Sequence, residues 1–148
     1  MIDHKLTSPI TNYSFVNDRI ITVRLKTNRG HIIIIGVCAP VESREEETRR
    51  FYKQLQKEVD KYNKSDSLMV WADLNVTVGN QPISNVVGTL GEECININGQ
   101  TLREFASFND FKIANTSFMK KEIYKYTWSA RGFKSIIDYI IFKKDQKI

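Results

Sequence analysis

A mixed α/β fold, with hairpin pairing built into its sheet, is what the order of apolar segments in this sequence predicts. Three observations carry that expectation. Residues 19–26, RIITVRLK, alternate so that Ile21, Val23 and Leu25 share one face, as in a half-buried strand. Residues 31–38, HIIIIGVC, form a continuous β-branched run, the pattern of a deeply buried strand. Between that run and the apolar stretch SLMVW (67–71), Phe51, Leu55, Val59 and Tyr62 recur at helical spacing and give one apolar stripe.

The first two strands are joined by TNRG (27–30), a turn signal, and read as an antiparallel hairpin ended by Ala39 and Pro40. Ser43 followed by Glu46 has the spacing of a capping box, in which side chains satisfy the free amides of a helix start. The helix is expected over 44–64, and SLMVW then completes a strand–helix–strand crossover over 31–72 with parallel strands. From Gly79 to Asn98 the chain reads as loop, with Pro82, Gly88 and Gly91 as punctuation. A short helix from Gln100 to about Asn109 points Leu102, Phe105 and Phe108 inward. FKIANTSF (111–118) and YKYTWS (124–129) read as short strands, and KSIIDYIIF (134–142) as the last strand. No repeat or low-complexity linker divides the chain.

The 148 residues suit one domain with a sizeable core, and a hydrophobic content of 41% with 26% charged residues is ordinary for a globular protein. No apolar run approaches the ~20 residues that span a bilayer, and the opening MIDHKLTSPI has no signal-peptide core. Cys38 and Cys94 are too few for a disulfide framework or a Cys-rich zinc site, and Cys38 reads as a reduced core residue. An intracellular setting is expected. The net charge of +5 is uneven: residues 1–118 hold 14 basic and 14 acidic residues, whereas 119–148 hold 8 and 3. A basic segment of that kind suits a polyanionic partner or, with equal standing, a solvated charged face.

Candidate chemistry centres on three residues. Asp73 and Asn75 follow the apolar run SLMVW, where neither residue type favours a strand. Asp138 sits within IIDYII, and alternation puts it on one face with Ile136 and Ile140, where a charge needs a partner, a cation or a cleft. Ligands in α/β sheets gather beyond the carboxyl ends of strands. The two acids thus mark either one functional site or a turn acid and a structural ion pair. Two acids and an amide form an oxygen-rich set that suits Mg²⁺ and phosphate esters rather than zinc. The G-x-x-x-x-G-K-[ST] loop and the G-x-S-x-G elbow are both missing. His4 lies near the start of the chain and His31 opens a strand, so neither is read as catalytic.

The segments I-G-V-x-A-P, W-A-D-L-N-V-T-V-G, N-G-Q-T-L-R-E-F, A-N-T-S-F, Y-T-W and I-D-Y-I-I, in that order over about 19–142, resemble the endonuclease/exonuclease/phosphatase superfamily. They are most similar to the endonuclease domains of LINE-type non-LTR retrotransposons and to craniofacial development protein 2-like proteins. The resemblance implies a DNase I-like four-layer α/β sandwich and Mg²⁺- or Mn²⁺-dependent phosphodiester cleavage, usually of DNA. It also implies a reverse transcriptase region in a full-length form and a nuclear location if functional. Carried over by position, Asp73 positions or activates the attacking water, Asn75 contacts the phosphate and the metal, and Asp138 orients a catalytic histidine. Thr127 and Trp128 stand where the family lines its nucleic-acid groove; for Trp128, core packing competes with that role.

Departures from the pattern matter as much. Ala72 replaces a glycine, and Cys38 an aromatic residue that is often tyrosine. The family's N-terminal strand with its Asn and the metal-binding Glu have no counterpart before residue 19, and the segment carrying the last Asp and His would follow residue 142. The chain therefore reads as a domain incomplete at both ends, a fragment or degenerate copy with impaired activity. The alternative is a non-catalytic nucleic-acid- or protein-binding domain that kept the fold.

Overall fold

The computed structural model describes residues 9–41, 45–63 and 66–143. Three strands open the chain, β1 (Ile10–Asn17), β2 (Ile20–Thr27) and β3 (Gly30–Cys38), followed by helix α1 (Glu45–Val59) and β4 (Ser67–Asp73). A long connection leads to helix α2 (Ile97–Phe108) and the short β5 (Phe111–Ile113). A small hairpin, β6 (Trp128–Ala130) and β7 (Phe133–Ser135), precedes β8 (Asp138–Lys143).

The main sheet has the order β1-β2-β3-β4-β8-β5. β3 and β4 pair in parallel, as the helical crossover between them requires, and the other neighbours are antiparallel. Both helices cover one face. Ile33, Ile35, Leu68, Val70 and Ile141 form a single buried cluster with Phe51 and Leu55 of α1 and Leu102 and Phe105 of α2. Tyr52, Phe105 and Phe111 link helices and sheet through ring contacts of 5.6 and 6.0 Å. Gln56 and Asn109 exchange two amide hydrogen bonds of 2.8 Å, which lock the helix ends together.

Several expectations shift. The strand β1 was not foreseen: ITNYSFVN alternates only briefly, at Tyr13 and Phe15, and forms an exposed edge that pairs only with β2. FKIANTSF is a strand only to Ile113 and then turns through a 3₁₀ segment, Ala114–Thr116. In YKYTWS the strand begins only at Trp128. KSIIDYIIF is broken at residues 136–137 into the end of β7 and the start of β8, so Asp138 opens a strand instead of interrupting one. Phe108, expected inward, is 80% exposed. Cys38 is exposed at the end of β3 rather than buried in the core. Ser43 lies outside the described residues, and Glu46 pairs with Arg50 at 3.2 Å on the surface of α1. The strand 31–38 is buried on its helix side alone.

Candidate active site

β4 and β8 run antiparallel, and their register sets Asp73, the last residue of β4, directly opposite Asp138, the first of β8. Residues paired in this way have Cα atoms about 4.5–5.5 Å apart. On its other side Asp73 is level with Cys38. A thiol and two carboxylates therefore form a row across three strands at one end of the sheet. Leu74 continues the pairing, its amide donating to the Ile137 carbonyl at 2.8 Å. Asn75 follows with φ of 50°, a left-handed conformation that asparagine tolerates better than most side chains. The predicted trio thus gathers at one sheet end, the acids by register and Asn75 by the turn.

Asp73 is an uncomfortable acid. Its Oδ1 is buried and has no hydrogen-bond partner. Burial, and then the charge of Asp138, hold its carboxyl above the usual carboxylate range, while the backbone amide of Asn75 pulls the other way. A proton or a cation would relieve that arrangement. The donors fit a hard divalent ion: an orphaned oxygen, a facing carboxylate and the side-chain oxygen of Asn75, with water completing the coordination as Mg²⁺ allows. Among the described residues no group of three or more His, Cys, Asp or Glu is spaced to hold a metal ion, so the ion would rest on few protein oxygens.

A stability test follows. Asp73→Asn is expected to stabilise the fold at pH 7 by about 0.2–1 kcal/mol, the scale of directly opposed cross-strand charges. A carboxyl whose folded pKa is raised binds its proton more tightly when folded. Its favourable contribution is therefore present below the unfolded value of about 3.9 and is lost as pH rises through the raised one. The advantage of the asparagine variant should vanish in acid. Urea midpoints from pH 3 to 8 check this, and an advantage that grows in acid would contradict it.

The sheet end is braced by polar side chains, of which only Thr127 was singled out from the sequence, and for a groove-lining role instead. Asn115 is buried, donates to the Asp138 carbonyl at 2.9 Å and accepts from the Ile140 amide at 3.0 Å. Thr127 Oγ1 accepts from the amides of Ile137 and Asp138 at 3.0 and 3.1 Å, so its hydroxyl oxygen serves the strand that carries the acid. Beyond Asn75, Asn96 Oδ1 accepts from the amides of Thr77 at 3.1 Å and Gly99 at 2.7 Å, which ties the loop to the start of α2. Buried Arg103 donates to the carbonyls of Val78 and Gln81 at 3.2 and 3.1 Å. The Tyr139 hydroxyl donates to the Val76 carbonyl at 3.1 Å. The only sequence signal for these braces was a polar residue in an apolar setting, with nothing to say what it would meet.

A cleft of about 370 Å³ opens beside Asn75, lined also by Thr77, Asn96, Trp128 and Ser135. Trp128 is 43% exposed on its wall, so core packing does not account for it. The basic residues divide. Lys120, Lys121, Arg131 and Lys134 are exposed. Lys125 donates to the Gly91 carbonyl at 3.2 Å and, with Lys134, lies over the Tyr126 ring. Lys143 is at the far end of β8, donating to the Asn63 carbonyl at 2.7 Å, and Lys144 and Lys147 lie outside the described residues. His31 is the second residue of β3, whereas Cys38 at its other end is level with Asp73, so ~23 Å of strand at ~3.3 Å per residue separates the imidazole from the acids. His4 lies outside the described residues.

No family model matches the chain. In sequence it is 33% identical over 147 residues to craniofacial development protein 2 of Tragulus javanicus, covering 97% of this chain and 26% of that protein. The chain thus spans about a quarter of the length of the curated relatives it matches. In structure it is similar to the endonuclease domain of TRAS1, a telomere-specific non-LTR retrotransposon, with a TM-score of 0.65 and 14% identity over 98% of this chain and 59% of that one. A 3′ phosphatase from Neisseria, NExo, solved bound to product DNA hairpin, gives a TM-score of 0.61 and 13% identity over 90% of this chain and 58% of that one. These are the superfamily and the relatives to which the order of the motifs pointed.

Proposed function

From the endonuclease/exonuclease/phosphatase fold as premise, we propose that this chain is a Mg²⁺-dependent phosphodiesterase of endonuclease type, retroelement-like, acting on DNA with impaired activity. The observation that carries the reading is the register that sets Asp73 against Asp138 with Asn75 beside them and an open cleft adjoining. In this role Asp73 accepts a hydrogen bond from the attacking water and orients it, its raised pKa making it the better base. The Asn75 amide donates to a phosphate oxygen where negative charge grows. Trp128 offers a ring face to a base or sugar at the cleft wall. A Mg²⁺ ion held by Asp73 and Asn75 would supply charge neutralisation at the phosphate.

Impairment is expected of the described residues taken alone, because none of them brings an imidazole to Asp138. Asp138 faces Asp73, not a histidine, and His31 is a strand length away. A positioned acid–base group is worth about 10²–10⁴-fold, so these residues without one would turn over slowly. The same observation favours the second reading, a binding domain that kept the fold without the chemistry. The first reading would place this region, in a longer polypeptide, beside a reverse transcriptase and in the nucleus.

The test is nicking of supercoiled plasmid by the 148-residue chain with Mg²⁺, Mn²⁺ or EDTA, beside anisotropy titrations on an oligonucleotide at several salt concentrations. Slow, metal-dependent nicking that Asp73→Ala reduces at least about 10-fold is expected, with binding that weakens steeply as salt rises. Nicking as fast as an intact endonuclease would overturn the impairment. Nicking indifferent to Asp73→Ala would overturn the site. Salt-sensitive binding with no nicking would leave the second reading.

A further inference from the structure

The long connection between β4 and α2 carries two adjacent acids that behave differently. Glu93 is exposed, whereas Glu92 is half-buried and bonds to residues 43 and 44 positions further along the chain. Its Oε2 accepts from the Ser135 hydroxyl and from the Ile136 amide, both at 3.2 Å. Ser135 ends β7, is the register partner of Trp128 in β6, and lines the cleft beside Asn75 together with that ring. We propose that Glu92 is a positioning residue, which acts through Ser135 to stand the Trp128 ring in the wall of the cleft.

The hairpin needs such a hold. β6 and β7 have three residues each and pair only with each other, apart from the six-stranded sheet. Two short strands alone are marginal in water, so whatever fixes this pair must come from outside it. The outside contacts converge on one dipeptide. Before the hairpin Lys125 donates to the Gly91 carbonyl at 3.2 Å, and after it Ser135 and Ile136 donate to Glu92. Gly91 and Glu92 thus hold both feet of the hairpin. The dipeptide is itself anchored: a Cβ at Gly91 would collide with the Gly79 carbonyl, and the Leu90 amide donates to the Thr116 carbonyl at 2.9 Å. Beyond Ser135 the chain runs through buried Ile136 to Ile137 and Asp138, whose amides Thr127 Oγ1 accepts. Glu92 fixes the wall, and Thr127 the acid.

The donors that meet Glu92 are a hydroxyl and an amide, both neutral, so the position calls for an acceptor of that reach and not for a charge. The charge works against a nucleic-acid partner, because a carboxylate beside the cleft repels phosphates. Position and charge therefore predict opposite signs when the acid is removed. The assignment rests on the cleft being the nucleic-acid side of the site.

Anisotropy titrations of the 148-residue chain with a labelled single strand of about 12 nucleotides separate the two effects. Glu92→Ala is expected to weaken binding about 5–10-fold although it removes a negative charge, the scale of one aromatic–base stack. Glu92→Gln, whose amide oxygen accepts from the same two donors, should bind at least as tightly as the parent. Glu92→Asp keeps the charge but is ~1.5 Å shorter, so it should weaken binding as alanine does. It decides the matter if thermal melts show that the alanine variant does not fold. Glu93→Ala removes the same charge one residue on and should bind no more weakly than the parent. A second readout needs no nucleic acid. In a Trp71→Phe background Trp128 is the one tryptophan left of two, and its quenching by acrylamide should rise in Glu92→Ala and Glu92→Asp but not in Glu92→Gln. Unchanged or tighter binding by folded Glu92→Ala, or a loss in Glu92→Gln equal to that of alanine, would overturn the positioning role. If the parent binds no nucleic acid, the reading of the cleft falls, and equal quenching in all the Glu92 variants would overturn the positioning role as well.

Discussion

Gly99→Ala is expected to lower stability by about 2–4 kcal/mol, although alanine is the better helix former by up to about 1 kcal/mol. A Cβ at this position would stand 1.9 Å from the Thr77 carbonyl oxygen and 2.7 Å from its carbon. Both are backbone atoms, held there by Asn96, whose amide donates to the same Thr77 oxygen at 3.2 Å. Relief therefore means moving the loop off the start of α2 and losing the Asn96 contacts to Thr77 and Gly99. A fall in melting temperature of roughly 6–14 °C corresponds to that cost for a chain of this size. Gln100→Ala, on the exposed side of the same turn, should stay within about 0.5 kcal/mol. If Gly99→Ala melted at or above the parent temperature, the tight loop–helix approach would not exist in solution.

Arg103→Met should cost about 2–3 kcal/mol and loosen residues 78–81. The buried guanidinium donates to the Val78 and Gln81 carbonyls, and methionine leaves both without that donor at about 1–3 kcal/mol each. Removing a buried charge returns part of that cost, since Arg103 Nε has no partner of its own. Arg103→Lys presents a point charge on a flexible stem, so it should satisfy one carbonyl and recover about half the loss. Amide exchange gives the regional readout: faster exchange through 76–83 with little change in β2 and β3. Uniform loosening of the whole sheet would show that Arg103 serves the core at large rather than this loop.

Much of the framework was legible because hydrophobic period changes along the chain. Ile21, Val23 and Leu25 alternate, Phe51, Leu55 and Val59 step by helical turns, and these gave the hairpin and the parallel crossover. β1 was not legible, since Tyr13 and Phe15 alternate with polar residues on an edge that buries little. The break at residues 136–137 was hidden because two isoleucines look the same inside a strand and just before one. Asp73 and Asp138 stood out as acids among apolar neighbours, yet nothing local states that they face each other. That pairing depends on β8 inserting beside β4, a long-range choice that no local pattern in the sequence anticipates. Asn115, Asn96 and Arg103 went unread because a brace is defined by its distant partner.

That insertion of β8 has a consequence in time. The last described strand lies between β4 and β5, so neither has its neighbour until the far end of the chain has been made. During synthesis at about 5–20 residues per second, the roughly 65 residues from Asp73 to Asp138 take several seconds to emerge. Through that interval β1 to β4 and α1 can assemble, while the outer edge of β4 stays open and Asp73 remains in water. The two acids meet only when β8 inserts beside β4, so the repulsion between them falls on that step, after β1 to β4 have been made. A chain stalled before residue 138 would present the β4 edge to any other strand within reach, which makes the seconds before closure the period of greatest risk for misassembly.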